Sequence, residues 1–433
     1  MVYPRSDGEC VTVLSIDGEV QGIVPAVLLN FLEDQLKEVE KENGGNPEDV
    51  RIADYFDVIG GTGTGSLVAA MLTKPSMLQP SRPQYDMSDI ISFLREISSS
   101  NTFPDKDEQN IIVRAVNLAC GAFGLLASTV SSILDPSKKF CTTFEEFWRR
   151  NWKADTYPAE VFDDQLKSKL DNTRLDQTLS DIVVPAYHFD SRRPLVFSTS
   201  QARKLHANFN EEVTLRDVVL SSSAIPTIFP LHSFKYSGKF GTFADANIVA
   251  DNPTLLALSE GTRLYGSGPN YKNYLVLSLG TIKRRAPPCD IIVIPSALLD
   301  YISKRIWKGM KARVLQYMHI FFGDIIQMYT TQMLPSQLHE GLLNYLRIQG
   351  FEPNDSLPSE IDEPTSGFLE LKRIAYDILK RNATYVDPST GAHAEQDFSN
   401  EEALKTFARQ LHAERQRRFL NQQEQYGGNY INK

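Results

Sequence analysis

Between Val11 and Leu72 the chain twice follows one local plan: a short apolar strand, a glycine-bearing turn and an apolar helix. VTVLSI (11–16) passes through DGEVQG into a helix with Val24, Val27, Leu28, Phe31, Leu32, Leu36 and Val39 at spacings of three and four. YFDVIG (55–60) passes through a glycine turn into LVAAML (67–72). Strand–helix–strand–helix order predicts an α/β fold, with a mostly parallel central sheet and helices on both faces. Later strands are expected at DIVVPAYHF (181–189), PLVFSTS (194–200), GTFADA (241–246), YLVLSLG (274–280) and NYLRIQG (344–350), with helices between most of them. NPTLLALSEG places Pro253 near a first helical turn. The last helix is expected to begin near Ser399, where Glu402 three residues on completes a capping-box pattern, and to bury Leu404, Phe407, Ala408 and Leu411.

The 433 residues are 42% hydrophobic and 23% charged, enough to bury a large core. A net charge of −9 argues against a nucleic-acid partner. Cys10, Cys120, Cys141 and Cys289 lack C-x-x-C spacing, so neither a disulfide framework nor a metal site is expected, and a reduced, cytoplasmic setting fits. The polar start MVYPRSDGEC does not read as a signal peptide. AVNLACGAFGLLASTVSSIL (115–134) carries no charge over twenty residues. Its alternatives are a membrane span, a buried helical hairpin and a lipid-facing cap. FEEFWRRNW (144–152) follows, and its Trp148, Trp152, Arg149 and Arg150 suit either a membrane rim or a solvated loop with packed tryptophans.

The turn Gly61–Thr62–Gly63–Thr64–Gly65–Ser66 admits several readings. Gly60 to Ser66 is close to a phosphate loop but lacks its lysine. Gly61 to Gly65 approaches a dinucleotide fingerprint, with its third glycine one position early. Bare N–H groups at a helix start can hold an anion in either case. The same stretch has the backbone pattern of a nucleophile elbow, G-x-S-x-G, with Gly63 at the apex. A tight strand-to-helix turn with no ligand is the plain alternative.

The rest of the chain bears on the choice. From Val11 to Ala413 it resembles the plant patatin-like lipid acyl hydrolases. LSIDGEVQGIVPAVLLNFLE, IADYFDVIGGTGTGSLVAAMLT, LDQTLSDIVVPAYHFD, LSSSAIPTIFP, FADANIVADNPTLLAL, YLVLSLGT and NEEALKTFA stand in that family's order and spacing. The resemblance implies a three-layer α/β domain over residues 11–413, with an apolar insertion near 110–152, a short segment 1–10 before it and a polar tail 414–433 after it. It implies a serine–aspartate dyad, with neither metal nor cofactor. The elbow serine attacks an acyl carbonyl, an aspartate takes its proton, and a glycine loop offers N–H groups to the oxyanion. Implied partners are a glycerolipid or fatty acyl ligand and a membrane contacted reversibly.

Carried over residue by residue, the machinery is damaged. The serine position is Gly63, so the nucleophile is absent. The aspartate is Asp245, retained in Asp245-Ala246-Asn247 where D-G-G or D-G-A is expected. The oxyanion loop, Asp17, Gly18, Glu19, Val20, Gln21 and Gly22, is one residue short, has lost two glycines and has Gln21 in place of arginine. Ser66 stands where glycine or alanine is usual. A missing nucleophile costs on the order of a million-fold in turnover, and each lost oxyanion donor roughly 10²–10³. Family-type hydrolysis is therefore expected to be weak or lost. A lipid-binding, membrane-peripheral pseudoenzyme and a storage or interaction protein with a closed pocket are the alternatives. Ser66 is the first substitute hydroxyl to consider, against a role in capping backbone. Thr62, Thr64, Ser222, Ser223 and His232 are read as packing or capping groups, and Cys120 and Cys141 as buried small hydrophobes.

Overall fold

A computed structural model of the chain describes residues 9–18, 22–99, 159–224, 229–245, 250–266, 273–284, 344–352, 364–387, 390 and 393–427. The expectations for 115–134, for 144–152, for Cys120, Cys141 and Cys289, and for Glu19, Val20, Gln21, Ala246 and Asn247 lie outside those residues.

The principal sheet has eight strands: β1 (Val11–Ile16), β2 (Val58–Gly61), β3 (Asp181–His188), β4 (Arg193–Ser198), β5 (His232–Tyr236), β6 (Lys239–Ala244), β7 (Tyr274–Arg284) and β8 (Tyr345–Glu352). Its order is β5-β6-β3-β2-β1-β7-β8, with β4 also on β3. The pairs β1–β2, β1–β7, β2–β3 and β7–β8 are parallel. β9 (Asn382–Val386) and β10 (His393–Ser399) form a separate antiparallel pair.

Nine helices are described: α1 (Ile23–Glu42), α2 (Thr64–Thr73), α3 (Met87–Ser99), α4 (Ala159–Leu170), α5 (Thr199–Phe209), α6 (Leu215–Ser222), α7 (Thr254–Tyr265), α8 (Pro364–Lys380) and α9 (Asn400–Gly427). Strand residues alternate between two cores, as a period of two requires. Val11, Val13, Val58, Val183, Tyr274 and Val276 pack with Ala257 and Leu258 of α7. Leu14, Ile16, Ile59, Leu277 and Leu279 face the larger core with α1, α2, α6, α8 and α9. Helices therefore cover both faces of a mostly parallel sheet, and the chain is α/β in three layers.

In α1 the apolar stripe is buried as its spacing predicts, apart from Phe31, which is half-buried at the edge of the core. The last helix opens with the capping box: Ser399 N–H donates to Glu402 at 2.8 Å and Glu402 N–H to Ser399 Oγ at 3.2 Å. It buries Leu404, Phe407, Ala408 and Leu411. It then continues across the 413/414 boundary to Gly427. There Arg418 donates to both Asp57 oxygens, at 3.1 and 3.0 Å, and to the Cys10 carbonyl at 2.7 Å. These contacts tie α9 to the N-terminal ends of β1 and β2. Among the described residues no helix is long and apolar enough to cross a membrane.

Candidate functional site

β1 and β2 run side by side, with Ile16 opposite Gly61, and their carboxyl ends lead into the Asp17 loop and the glycine turn. Ligand sites in parallel sheets form at such carboxyl ends. Between β2 and α2 the chain reverses at Gly63, which has φ 48° and ψ −124°. A residue with a Cβ pays about 1–3 kcal/mol to sit in such a region, and glycine sits there freely. The turn is bonded shut. Gly65 N–H donates to the Thr62 carbonyl at 2.7 Å and Ser66 N–H to the Gly63 carbonyl at 3.0 Å. The Ser66 hydroxyl donates to that same Gly63 carbonyl at 2.6 Å, so it caps backbone, and Ser66 is fully buried.

The Asp17–Gly18 loop lies directly on this turn. Gly18 N–H donates to Thr62 Oγ1 at 3.1 Å, and Thr62 Oγ1 donates to the Asp251 carbonyl at 3.0 Å. A Cβ on Gly63 would fall within 3.0 Å of the Gly18 carbonyl oxygen, a separation real Cβ atoms essentially never show. A Cβ on Gly18 would likewise strike the Thr62 carbonyl and the Gly65 and Thr64 nitrogens, and one on Gly65 the Ile16 carbonyl. Backbone meets backbone at every one of these points, so no side-chain rotation relieves the clash. The space above the apex, where a serine side chain would stand, is taken by Gly18.

Asp17 is itself clamped. Its carboxylate accepts from Arg347 of β8 at 3.2 and 2.5 Å, and Arg347 also donates to Ser278 Oγ at 2.6 Å and Gln349 at 3.0 Å. The side chains of both ion-pair partners are 3% exposed. Burial works against the Arg347 charge, but Asp17 outweighs it and raises the guanidinium above its ordinary range. Arg347 was not singled out in the sequence. The available signal was a charge at the centre of the otherwise apolar run YLRI.

Asp245 reaches the same place from above. β4 occupies one edge of β3 over residues 183–188, and the other edge is shared by β2, at 181–183, and β6, at Tyr187 and His188. β6 therefore runs antiparallel to β2 and β3 and leads into Asp245. Asp245 is buried, and its N–H donates to the Ala224 carbonyl at 3.1 Å. Two residues earlier, Ser222 Oγ accepts the Gly63 N–H at 3.1 Å. The run 222–224, at the C-terminal end of α6, thus braces the apex with one residue and the aspartate with another. At the other end of α6, His232 Nε2 lies 2.8 Å from Asp217 Oδ1. Ser222 and His232 therefore have positioning contacts, and Thr62 and Ser66 are engaged with backbone.

Asp245 is thus linked to the Gly63 turn through the run 222–224, and Gly63, which carries no side chain, is covered by Gly18. The family model for patatin-like phospholipases matches residues 20–258. Patatin-like protein 2 of Oryza sativa is 29% identical over 94% of this chain and 94% of its own length. Patatin-T5 of Solanum tuberosum is 29% identical, covering 93% of this chain and 90% of that protein. A second potato protein, named Probable inactive patatin-3-Kuras 1, is 29% identical over 93% of each chain.

Proposed function

Since the chain belongs to the patatin-like phospholipase family, we propose that it is a lipid acyl hydrolase homologue in which hydrolysis by a serine–aspartate dyad is weak or lost. The observation that carries this reading is the approach of Gly18 to the apex. A side chain at position 63 and the Gly18 carbonyl oxygen cannot occupy the same space. Two further features support it. The Gly18 N–H is committed to Thr62 and so is not offered to an oxyanion. Two hydroxyls near the apex, those of Thr62 and Ser66, each donate to a backbone carbonyl.

Nucleophile loss alone lowers turnover by about 10⁶, and a missing oxyanion donor lowers it by a further ~10²–10³. Asp245 then has no hydroxyl at position 63 from which to take a proton. The fold around it survives, which favours retention of an acyl or glycerolipid ligand without turnover. In that reading the chain acts as a lipid-binding, membrane-peripheral protein.

The test is acyl release from mixed phospholipids and galactolipids by purified protein, beside Asp245→Ala. The expected result is little or no release that depends on Asp245. Robust turnover that Asp245→Ala abolishes would sink the proposal, and any such turnover would sink the pseudoenzyme reading. Saturable lipid binding without turnover supports the binding role, and absence of both leaves the closed-pocket interaction protein.

A further inference from the structure

One asparagine–glycine step occurs in the 433 residues, Asn43-Gly44, and it stands at the C-terminal end of α1. Asn43 caps that helix with φ −92° and ψ 9°, and Gly44 follows it at φ 81°. A positive φ just past a helix is the turn that glycine favours. The Asn43 amide is part of the cap. Its Nδ2 donates to the Val39 carbonyl at 2.7 Å, the same carbonyl that accepts the Asn43 N–H at 3.2 Å. Gly44 N–H donates to the Lys41 carbonyl at 3.1 Å and Gly45 N–H to the Glu40 carbonyl at 2.9 Å.

The surroundings leave this turn free to open. Residues 41–46 are all exposed, and a Cβ placed on Gly44 would meet no atom within 4 Å. The Gly44 nitrogen reaches the side-chain carbon Cγ of Asn43 when ψ of Asn43 swings away from 9°. That swing breaks three hydrogen bonds at an exposed helix end, those donated by Asn43 Nδ2, Gly44 N–H and Gly45 N–H. Such ends open at little cost. Glycine at 44 also sets no Cβ beside the attacking nitrogen.

We infer that Asn43 is a modification site, at which the chain deamidates itself with solvent water as co-reactant. The Gly44 nitrogen attacks Asn43 Cγ and bonds to it, and its proton passes to solvent. The Cγ–Nδ2 bond breaks, and the amide nitrogen takes up a proton and leaves as ammonia. Water then opens the cyclic imide. Cleavage between Cγ and the Gly44 nitrogen yields aspartate. Cleavage between the main-chain carbonyl carbon and that nitrogen yields isoaspartate, with the backbone rerouted through Cγ. Neither step is a redox change.

The consequence follows from the cap. A carboxylate has no proton to give the Val39 carbonyl, and it adds negative charge at the negative end of a 20-residue helix. It also stands close to Glu40, whose carboxylate lies 3.1 Å from His412 Nε2 and accepts from the Tyr55 hydroxyl at 3.4 Å. Deamidation therefore loosens the end of α1 that meets α9. Two comparable positions lack the combination. Asn400 is buried, donates to the Ile378 carbonyl at 2.9 Å and is followed by glutamate. Asp17 precedes a glycine, but Arg347 holds its carboxylate and Thr62 accepts the Gly18 N–H.

The test is incubation of the full folded chain in mildly alkaline buffer, followed by proteolysis and mass spectrometry of the peptide that contains residue 43. The expected result is the mass gain of an amide-to-carboxyl exchange, in two separable products of equal mass, aspartate and isoaspartate. The gain is expected to quicken as pH rises, because the attacking nitrogen must lose its proton. The Asn400 peptide should stay unmodified over the same time. Asn43→Asp, which supplies one product directly, should melt about 2 °C below wild type. An Asn43 peptide that stays unmodified in the folded chain would overturn the inference. Aspartate without isoaspartate would also overturn it, because direct hydrolysis of the amide gives aspartate alone. Melting of Asn43→Asp at the wild-type temperature would overturn the loosening of α1. None of these readouts depends on acyl release, so they stand or fall apart from the proposal about the elbow.

Discussion

Gly63 and Gly18 decide what the elbow does, and Arg347 decides where Gly18 sits. The Asp17–Arg347 pair is buried on both sides, and its oxygens and nitrogens are held within hydrogen-bond reach. Breaking such a pair leaves an unpaired charge in the core, which typically costs about 3–5 kcal/mol. Arg347→Leu is therefore expected to lower unfolding stability by about that amount in urea titrations. Adding Asp17→Leu should recover much of the loss, because no charge then remains buried. If Arg347→Leu unfolds like wild type, the pair does not hold the loop. At this scale the sequence was half legible. The bare apex could be read from Gly61, Gly63 and Gly65, because a glycine pattern is local. The clamp could not, because Asp17 and Arg347 are 330 positions apart and meet only through the strand order β1-β7-β8. The Ser222–Gly63 contact, across 159 positions, was hidden for the same reason.

Among the described elements, α6 braces both the Gly63 turn and Asp245 through its C-terminal end. Thr214 Oγ1 caps it by accepting the Asp217 N–H at 3.1 Å, and Asp217 in turn faces His232 of β5. Burial pushes the Asp217 carboxyl up, but hydrogen bonds from His232 and Thr214 outweigh it and hold the group below its ordinary range. A depressed folded-state value means that ionised Asp217 stabilises the fold. That contribution is fully present above the unfolded carboxylate value of about 4 and is lost as pH falls through the lower folded value. Asp217→Asn should accordingly be less stable than wild type at neutral pH, with the gap closing in strong acid. A gap that stays constant from neutral to strongly acidic pH would show that Asp217 does not act through its charge. Strands with continuous apolar runs, such as VTVLSI and YLVLSLG, were legible. HSFKY, NATYV and HAEQDFS were not, because each short run is interrupted by polar or charged residues and β-hairpin pairing, not burial on both faces, makes it a strand.

Among the described residues the chain has a mostly parallel sheet between two helical layers, with the Asp17 loop and the glycine turn at the carboxyl ends of β1 and β2 and Asp245 following β6. At the junction of β2 and α2 the backbone of Gly18 covers Gly63. The 413/414 boundary implied by the resemblance falls within α9, whose polar residues Glu414 and Arg418 bond to the amino-terminal ends of β1 and β2. The most direct test of the closed elbow is to supply the missing hydroxyl. Gly63→Ser, shown to be folded by its circular dichroism, is treated with an alkyl fluorophosphonate and weighed intact. The account predicts no adduct at position 63 and no gain in acyl release. Stoichiometric labelling of that serine, with hydrolysis restored, would contradict it.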